Sequence, residues 1–135
     1  MDHTEALEYV RDNDRAVLAT MRSDGTPQLS PVTVGVVDGT ILMSTRQTAY
    51  KTRNLARDPR AWLCVVPAEW LGRWVQLTCE TEIVPLPDAM DTLVEYYRTL
   101  SGEHPDWDDY RRAMVDDQRC IVRFTIVEAG PTVHG

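Results

Sequence analysis

Lysine is almost missing from this chain of 135 residues: thirteen of its fourteen basic residues are arginine, and Lys51 is the single lysine. Twenty-one acidic residues outweigh them and set the net charge at −7. That balance argues against general nucleic-acid binding, because a phosphate backbone is held by a basic face. Long apolar runs are missing as well. Nothing approaches the ~20 residues of a membrane helix, so no membrane partner is expected. The opening Met1-Asp2-His3-Thr4-Glu5 is too acidic and polar for a secretion signal, which points to the cytoplasm. Cysteine is sparse: Cys64, Cys79 and Cys120 lie far apart in apolar stretches, with no CxxC pair. They read as buried free thiols rather than a disulfide framework. The histidines, His3, His104 and His134, are scattered and give no support to a His/Cys metal site. No GxSxG, HExxH, Walker or GxGxxG pattern occurs, so nucleophilic or zinc hydrolysis is unsupported.

What is present suits a single domain over residues 1–135 with a modest core: 43% of the residues are hydrophobic and 26% charged. Asp2 to Asp12 reads as a short helix with Asp2 and Glu5 as a capping pair. Ala16 to Met21 is a strand, and Asp24-Gly25 is a hairpin signal. A second strand runs from Pro27 to Val37, and Asp38-Gly39 turns it into a third over Thr40 to Thr45. Two such turns joining three apolar runs predict an antiparallel meander. Pro31 inside the second strand calls for an edge or a bulge. Thr48 to Asp58 reads as a helix capped by Thr48 and stopped by Pro59. Ala61 to Val66 is apolar throughout and reads as a buried strand. Trp74 to Val84 alternates as a long strand. Asp88 to Leu100 is an amphipathic helix, Trp107 to Asp117 a second one, and Arg119 to Glu128 the last strand, followed by a loose tail from Ala129. Six mostly antiparallel strands with short helices suggest a small barrel, and an α+β sandwich fits the same pattern.

Two segments could carry chemistry. Ser44 to Leu55 leaves a strand and opens a helix, where free backbone N–H groups favour anions. Hydroxyls at Ser44, Thr45, Thr48 and Thr52 and charges at Arg46, Lys51 and Arg53 make it the best phosphate site in an acidic chain. A capped, solvated surface helix has the same composition. The strand Pro27-Gln28-Leu29-Ser30-Pro31-Val32 is the other. A bulge at proline would free backbone groups for the edge of a planar heterocycle, although a bulged edge strand without a ligand reads equally well. Gly102 to Tyr110, with His104 among carboxylates, reads as a helix-start turn.

In their order, Val17-Leu18-Ala19-Thr20, Asp24-Gly25-Thr26-Pro27-Gln28-Leu29-Ser30, Lys51-Thr52-Arg53-Asn54-Leu55 and Asp58-Pro59-Arg60-Ala61 resemble the pyridoxamine-phosphate-oxidase-like proteins. Among these the chain is most similar to the group of coenzyme F-420-dependent enzymes. Gly102 to Arg111 with Ala113-Met114-Val115 resembles a late segment of that group. The resemblance implies a mainly β split barrel with short helices, of the flavin-binding type. It implies a homodimer with two cofactor sites at the interface. The implied cofactor is the deazaflavin coenzyme F-420, with FMN as the alternative. Lys51, Thr52 and Arg53 match the phosphate-binding segment, Ser44 and Thr45 the strand end beside it, and Gln28, Ser30, Pro31 and Val32 the strand along the ring system. By the same resemblance Trp74 and Gln76 face the cofactor from the other subunit. Ala49 and Glu80 depart from the residues many relatives carry there. The implied activity is hydride transfer to an unsaturated small-molecule substrate. An FMN-dependent oxidase or reductase and a non-catalytic deazaflavin carrier share the scaffold.

Overall fold

The computed structural model describes residues 1–134. Seven strands form one antiparallel sheet in the order β2-β1-β5-β6-β7-β4-β3. They are β1 (Arg15–Met21), β2 (Pro27–Thr33), β3 (Gly35–Val37), β4 (Thr40–Arg46), β5 (Arg60–Val66), β6 (Arg73–Pro85) and β7 (Arg119–His134), with helices α1 (His3–Asp12), α2 (Tyr50–Arg57), α3 (Met90–Ser101) and α4 (Trp107–Asp116) between them. β2 and β3 stand at opposite ends of that order, yet only Val34 separates them in the chain. The sheet must therefore curl until its two edges meet, which makes it a split barrel. Val34 is fully buried at this seam, where its N–H donates to the Asp14 carbonyl at 2.8 Å.

Both Asp-Gly turns form. At the second, Asp38 (φ 51°) and Gly39 (φ 74°) link the paired Val37 and Thr40. Both central residues are left-handed, as a two-residue hairpin turn of the I′ type requires. The expected meander is broken, however, because the predicted strand from Pro27 to Val37 divides at Val34, and β4 pairs with β7 instead of β2. The tail expected to be loose from Ala129 continues β7, with Leu77 opposite Ala129 and Trp74 opposite Val133. Register shifts in the β6–β7 pair near Gln76 and Thr78 help these long strands coil.

Period-two alternation fills the barrel. Leu18, Leu63, Val65, Val75, Leu77, Ile41, Met43, Val122 and Phe124 point inward and are buried. A second core forms outside the barrel, where α3 and α4 cover β4 and β7 with Leu93, Val94 and Tyr110 over Leu42 and Ile121. The Tyr110 hydroxyl donates to the Leu93 carbonyl at 2.9 Å and ties the two helices together. β5 differs from its expected full burial. Ala61, Leu63 and Val65 are inside, whereas Trp62, Cys64 and Val66 lie half-buried on the outer face. No helix among the described residues is long and apolar enough to cross a membrane.

Candidate functional site

α2 begins without a cap. Ala49 occupies the cap position and offers no side-chain acceptor, and no acidic residue lies in the first turn. Thr48, the expected cap, is exposed one residue further out. The first helical bond is Arg53 N–H to Ala49 O, so the preceding amides point out of the helix end unclaimed by it. Beside this turn is a cleft of about 450 Å³ lined by Arg22, Ser23, Gln28, Tyr50, Arg53, Asn54 and Arg57. The cleft runs along α2 from Tyr50 and Arg53 in its first turn to Arg57 in its last, and with Arg22 it gathers three guanidiniums into a concentrated positive field in a chain of charge −7. Nearby carboxylates are already engaged. Asp24 accepts from the N–H and hydroxyl of Thr26, and the Arg60 guanidinium holds Asp58 down to about 2.

A side-chain network orders the floor of the cleft. Asn54, 7% exposed, donates through Nδ2 to Thr20 Oγ1 (3.1 Å) and Gln28 Oε1 (2.8 Å). Arg57 donates to Asn54 Oδ1 and to the Met21 carbonyl, both at 2.9 Å. This clamps α2 to the end of β1 and the start of β2. Arg22, Asn54 and Arg57 are not among the site residues expected from sequence. The available signal is a polar asparagine inside a short helix, where an amide is retained only if it has partners.

The remaining candidates separate. β2 is an edge strand paired continuously with β1 from Pro27 to Thr33, so of the two expectations for Pro31, an edge or a bulge, the edge holds. Among the described residues the outer edge of β2 has no strand partner, but two of the outward-facing residues, Pro27 and Pro31, have no N–H, and the Thr33 carbonyl already accepts from the Tyr96 hydroxyl, so the edge donors are the Leu29 and Thr33 N–H groups. Gln28, Ser30 and Val32 are half-buried toward the barrel, while Pro31 is exposed on the other face. Thr45 and Thr52 are buried against each other, Oγ1 to Oγ1 at 3.2 Å, and Thr52 donates to the Arg46 carbonyl at 2.7 Å. Ser44 lies on the opposite side of β4 from Thr45, the side it shares with Leu42 beneath α3. Arg53 lines the cleft. Lys51, in the same turn, is half-buried outside that lining.

Trp74 and Gln76 line a second cleft of about 400 Å³, with Cys64, Val66, Trp70 and Leu71. It opens on the outer face of β5 and β6. Exposed apolar groups continue around it, with Trp70 at 83% and Leu29, next to β1, at 66%. Burial pushes the Cys64 thiol up, and pushes Cys79 to about 12 and Cys120 to about 11. Cys64 is only half-buried, unlike the other two thiols. His104 belongs to neither cleft. Its Nδ1 accepts from the Asp106 N–H at 2.9 Å, and its ring packs among Tyr97, Trp107 and Tyr110 at the start of α4. Among the described residues no three His, Cys, Asp or Glu side chains gather as a metal site.

Residues 3–132 match the model of a family described as pyridoxamine 5'-phosphate oxidase. Among solved structures, the chain is similar to a conserved hypothetical protein, Rv2991, from Mycobacterium tuberculosis. The two are 26% identical, with a TM-score of 0.78, over 96% of this chain and 82% of that one. An F-420 reductase matches at 18% identity and a TM-score of 0.71, over 91% of this chain and 94% of its own. A heme-binding protein from Mycobacterium smegmatis matches at 22% identity and a TM-score of 0.70, over 96% of this chain and 54% of its own. At these last two identities the likeness is one of fold.

Proposed function

Because the chain belongs to the pyridoxamine 5'-phosphate oxidase family, we propose that it binds a phosphate-bearing flavin-type cofactor, coenzyme F-420, in the arginine-lined cleft and reduces an unsaturated small molecule. The observation that carries this reading is the gathering of Arg22, Arg53 and Arg57 in one cleft alongside α2, whose first turn is uncapped, with Gln28 of β2 in the same lining. The donor set fits the group: the basic side of the cleft accepts a phosphate, and Gln28, in the same lining, offers a side-chain amide to a planar ring. A bound deazaflavin supplies the hydride. The chain supplies binding, orientation and electrostatics, which needs no protein nucleophile.

In this reading Lys51 and Arg53 attract the phosphate, with Ser44, Thr45 and Thr52 shaping the strand end behind them, and Gln28, Ser30, Pro31 and Val32 border the ring. Trp74 belongs to the site of a second copy. The support for a homodimer is the apolar outer face formed by Val17, Leu29, Cys64, Trp70 and Trp74, which a partner would cover. A cytoplasmic location accompanies this reading. Fluorescence titration with F-420 and FMN tests the assignment. Tighter binding of F-420 is expected. Preference for FMN transfers the reading to a flavin oxidase or reductase, and binding of neither ends it. Light scattering that finds only monomer across micromolar concentrations removes the shared site.

A further inference from the structure

Arg57 heads a chain of side chains whose hydrogen-bond polarity runs one way. A guanidinium only donates. Its bond to Asn54 Oδ1 commits the oxygen of that amide to the Arg57 side and Nδ2 to the other. Nδ2 places its two protons on Thr20 Oγ1 and Gln28 Oε1. Gln28 therefore accepts through its oxygen. Its own Nε2 has no partner among the described residues, and Gln28 lines the cleft. Turning the Asn54 amide over would set its N–H groups against the guanidinium, and turning the Gln28 amide over would set N–H against N–H. Asn54 itself is 7% exposed, so a turned-over amide would have little water to replace the partners it lost.

We infer that Arg57 and Asn54 are positioning residues that present Gln28 to the cleft as an obligate donor, so that the ligand group lying against Gln28 is an acceptor, a ring carbonyl or unprotonated ring nitrogen. The inference rests on the cofactor reading above and adds the polarity of the contact. It also separates two tasks within one cleft: the arginines read charge, and Gln28 reads the heterocycle's hydrogen-bonding edge.

Asn54→Asp is the decisive variant. An aspartate still accepts from Arg57 and can accept from the Thr20 hydroxyl, but it has no proton for Gln28. The Gln28 amide then turns to donate to it and shows its oxygen to the ligand. Phosphate-free probes, riboflavin and the deazariboflavin core of F-420, keep the added charge from acting through the phosphate. Asn54→Asp should weaken the core that wild type binds about tenfold, the loss of one hydrogen bond. Gln28→Met should do the same, and the double variant should be no weaker than Gln28→Met alone. A purely structural role for Asn54 gives additive losses, which would overturn the inference. Side-chain amide NMR reads the polarity without any ligand. In wild type the coupling across the hydrogen bond should run from Asn54 Nδ2 to the Gln28 carbonyl carbon, and in Asn54→Asp from Gln28 Nε2 to the Asp carboxyl carbon. The reverse direction in wild type refutes the relay. So does a reversed coupling in Asn54→Asp with unchanged affinity. If wild type binds neither core, the cofactor reading fails, while the coupling still decides the relay. If Asn54→Asp does not fold, the exposed Arg57→Met replaces it: removing the obligate donor should give two exchanging Gln28 amide states, and a single unchanged state overturns the inference.

Discussion

The contact between Thr45 and Thr52 makes a prediction whose sign distinguishes a structural hydroxyl pair from a ligand-binding one. The two oxygens are 3.2 Å apart, and the residues are only 2% and 3% exposed. Thr52 also donates to the Arg46 carbonyl, which keeps a second donor in the Ala49 N–H at 3.2 Å. Thr52→Val leaves that carbonyl partly satisfied but strands the buried Thr45 hydroxyl. An unsatisfied buried polar group costs about 1–3 kcal/mol. Thr45→Val removes one bond and leaves Thr52 bonded to Arg46, so its cost is nearer roughly 0.5–1.5 kcal/mol on the same scale. In the double variant no hydroxyl is stranded. Adding Thr45→Val to Thr52→Val should therefore be neutral or stabilising, although each change alone destabilises. The coupling between the two sites should be on the order of 1 kcal/mol, roughly 3–5 °C in melting midpoint for a domain of this size. Urea melts with unchanged slope would measure it. Strictly additive losses would refute the buried pair. Full stability of Thr52→Val together with lost cofactor binding would return that hydroxyl to the phosphate.

Arg53→Ala should weaken F-420 binding about ten- to a hundredfold, because a hydrogen bond to a charged group contributes roughly 1.5–3 kcal/mol; Lys51→Ala, outside the cleft lining, should cost less, and equal affinity of wild type and both variants in a fluorescence titration removes this segment from the phosphate site. His104→Ala should leave that affinity nearly intact while lowering the melting midpoint, since the residue lies in the α3–α4 turn and supports Asp106; a large affinity loss in a folded variant would place the turn at the ligand. Thiol labelling followed by mass spectrometry should modify Cys64 first and Cys79 and Cys120 far more slowly, because the latter two are buried and their thiols are held near 12 and 11; equal rates would mean that the barrel opens readily. Asp58 is held near 2 rather than its ordinary 3.8, first by the Arg60 side chain and then by the Arg60 N–H. Its depressed value favours the folded state above the unfolded pKa, and that benefit fades as pH falls from about 4 toward 2. Melting midpoints of wild type should fall more steeply across that window than those of Asp58→Asn, and parallel curves would rule the contribution out.

Much of the local architecture is legible in the sequence. Alternation in β6 marks its inward-facing residues, both Asp-Gly turns fall where hairpins form, and the apolar stripe of α3 covers β4 and β7. These signals are local: a period of two or 3.6 states which side of an element is apolar. It does not state what lies against that side. The apolar run of β5 reads as full burial for this reason, whereas Trp62, Cys64 and Val66 face outward in the single chain.

Arg22, Gln28, Asn54 and Arg57 come from a turn, a strand and a helix, and no spacing in the chain relates them. The sequence by itself determined the strands, their turns, the amphipathic helix and the resemblance to a family, because each is carried by residues close together along the chain. Only the tertiary structure decided that the predicted second strand breaks at Val34 to occupy both sheet edges, that β7 runs on through the tail to pair with β6, and that Asn54 joins Gln28 to Arg57. Those outcomes depend on which distant surfaces bury one another and on buried polar groups finding partners, and both are settled only when the barrel closes.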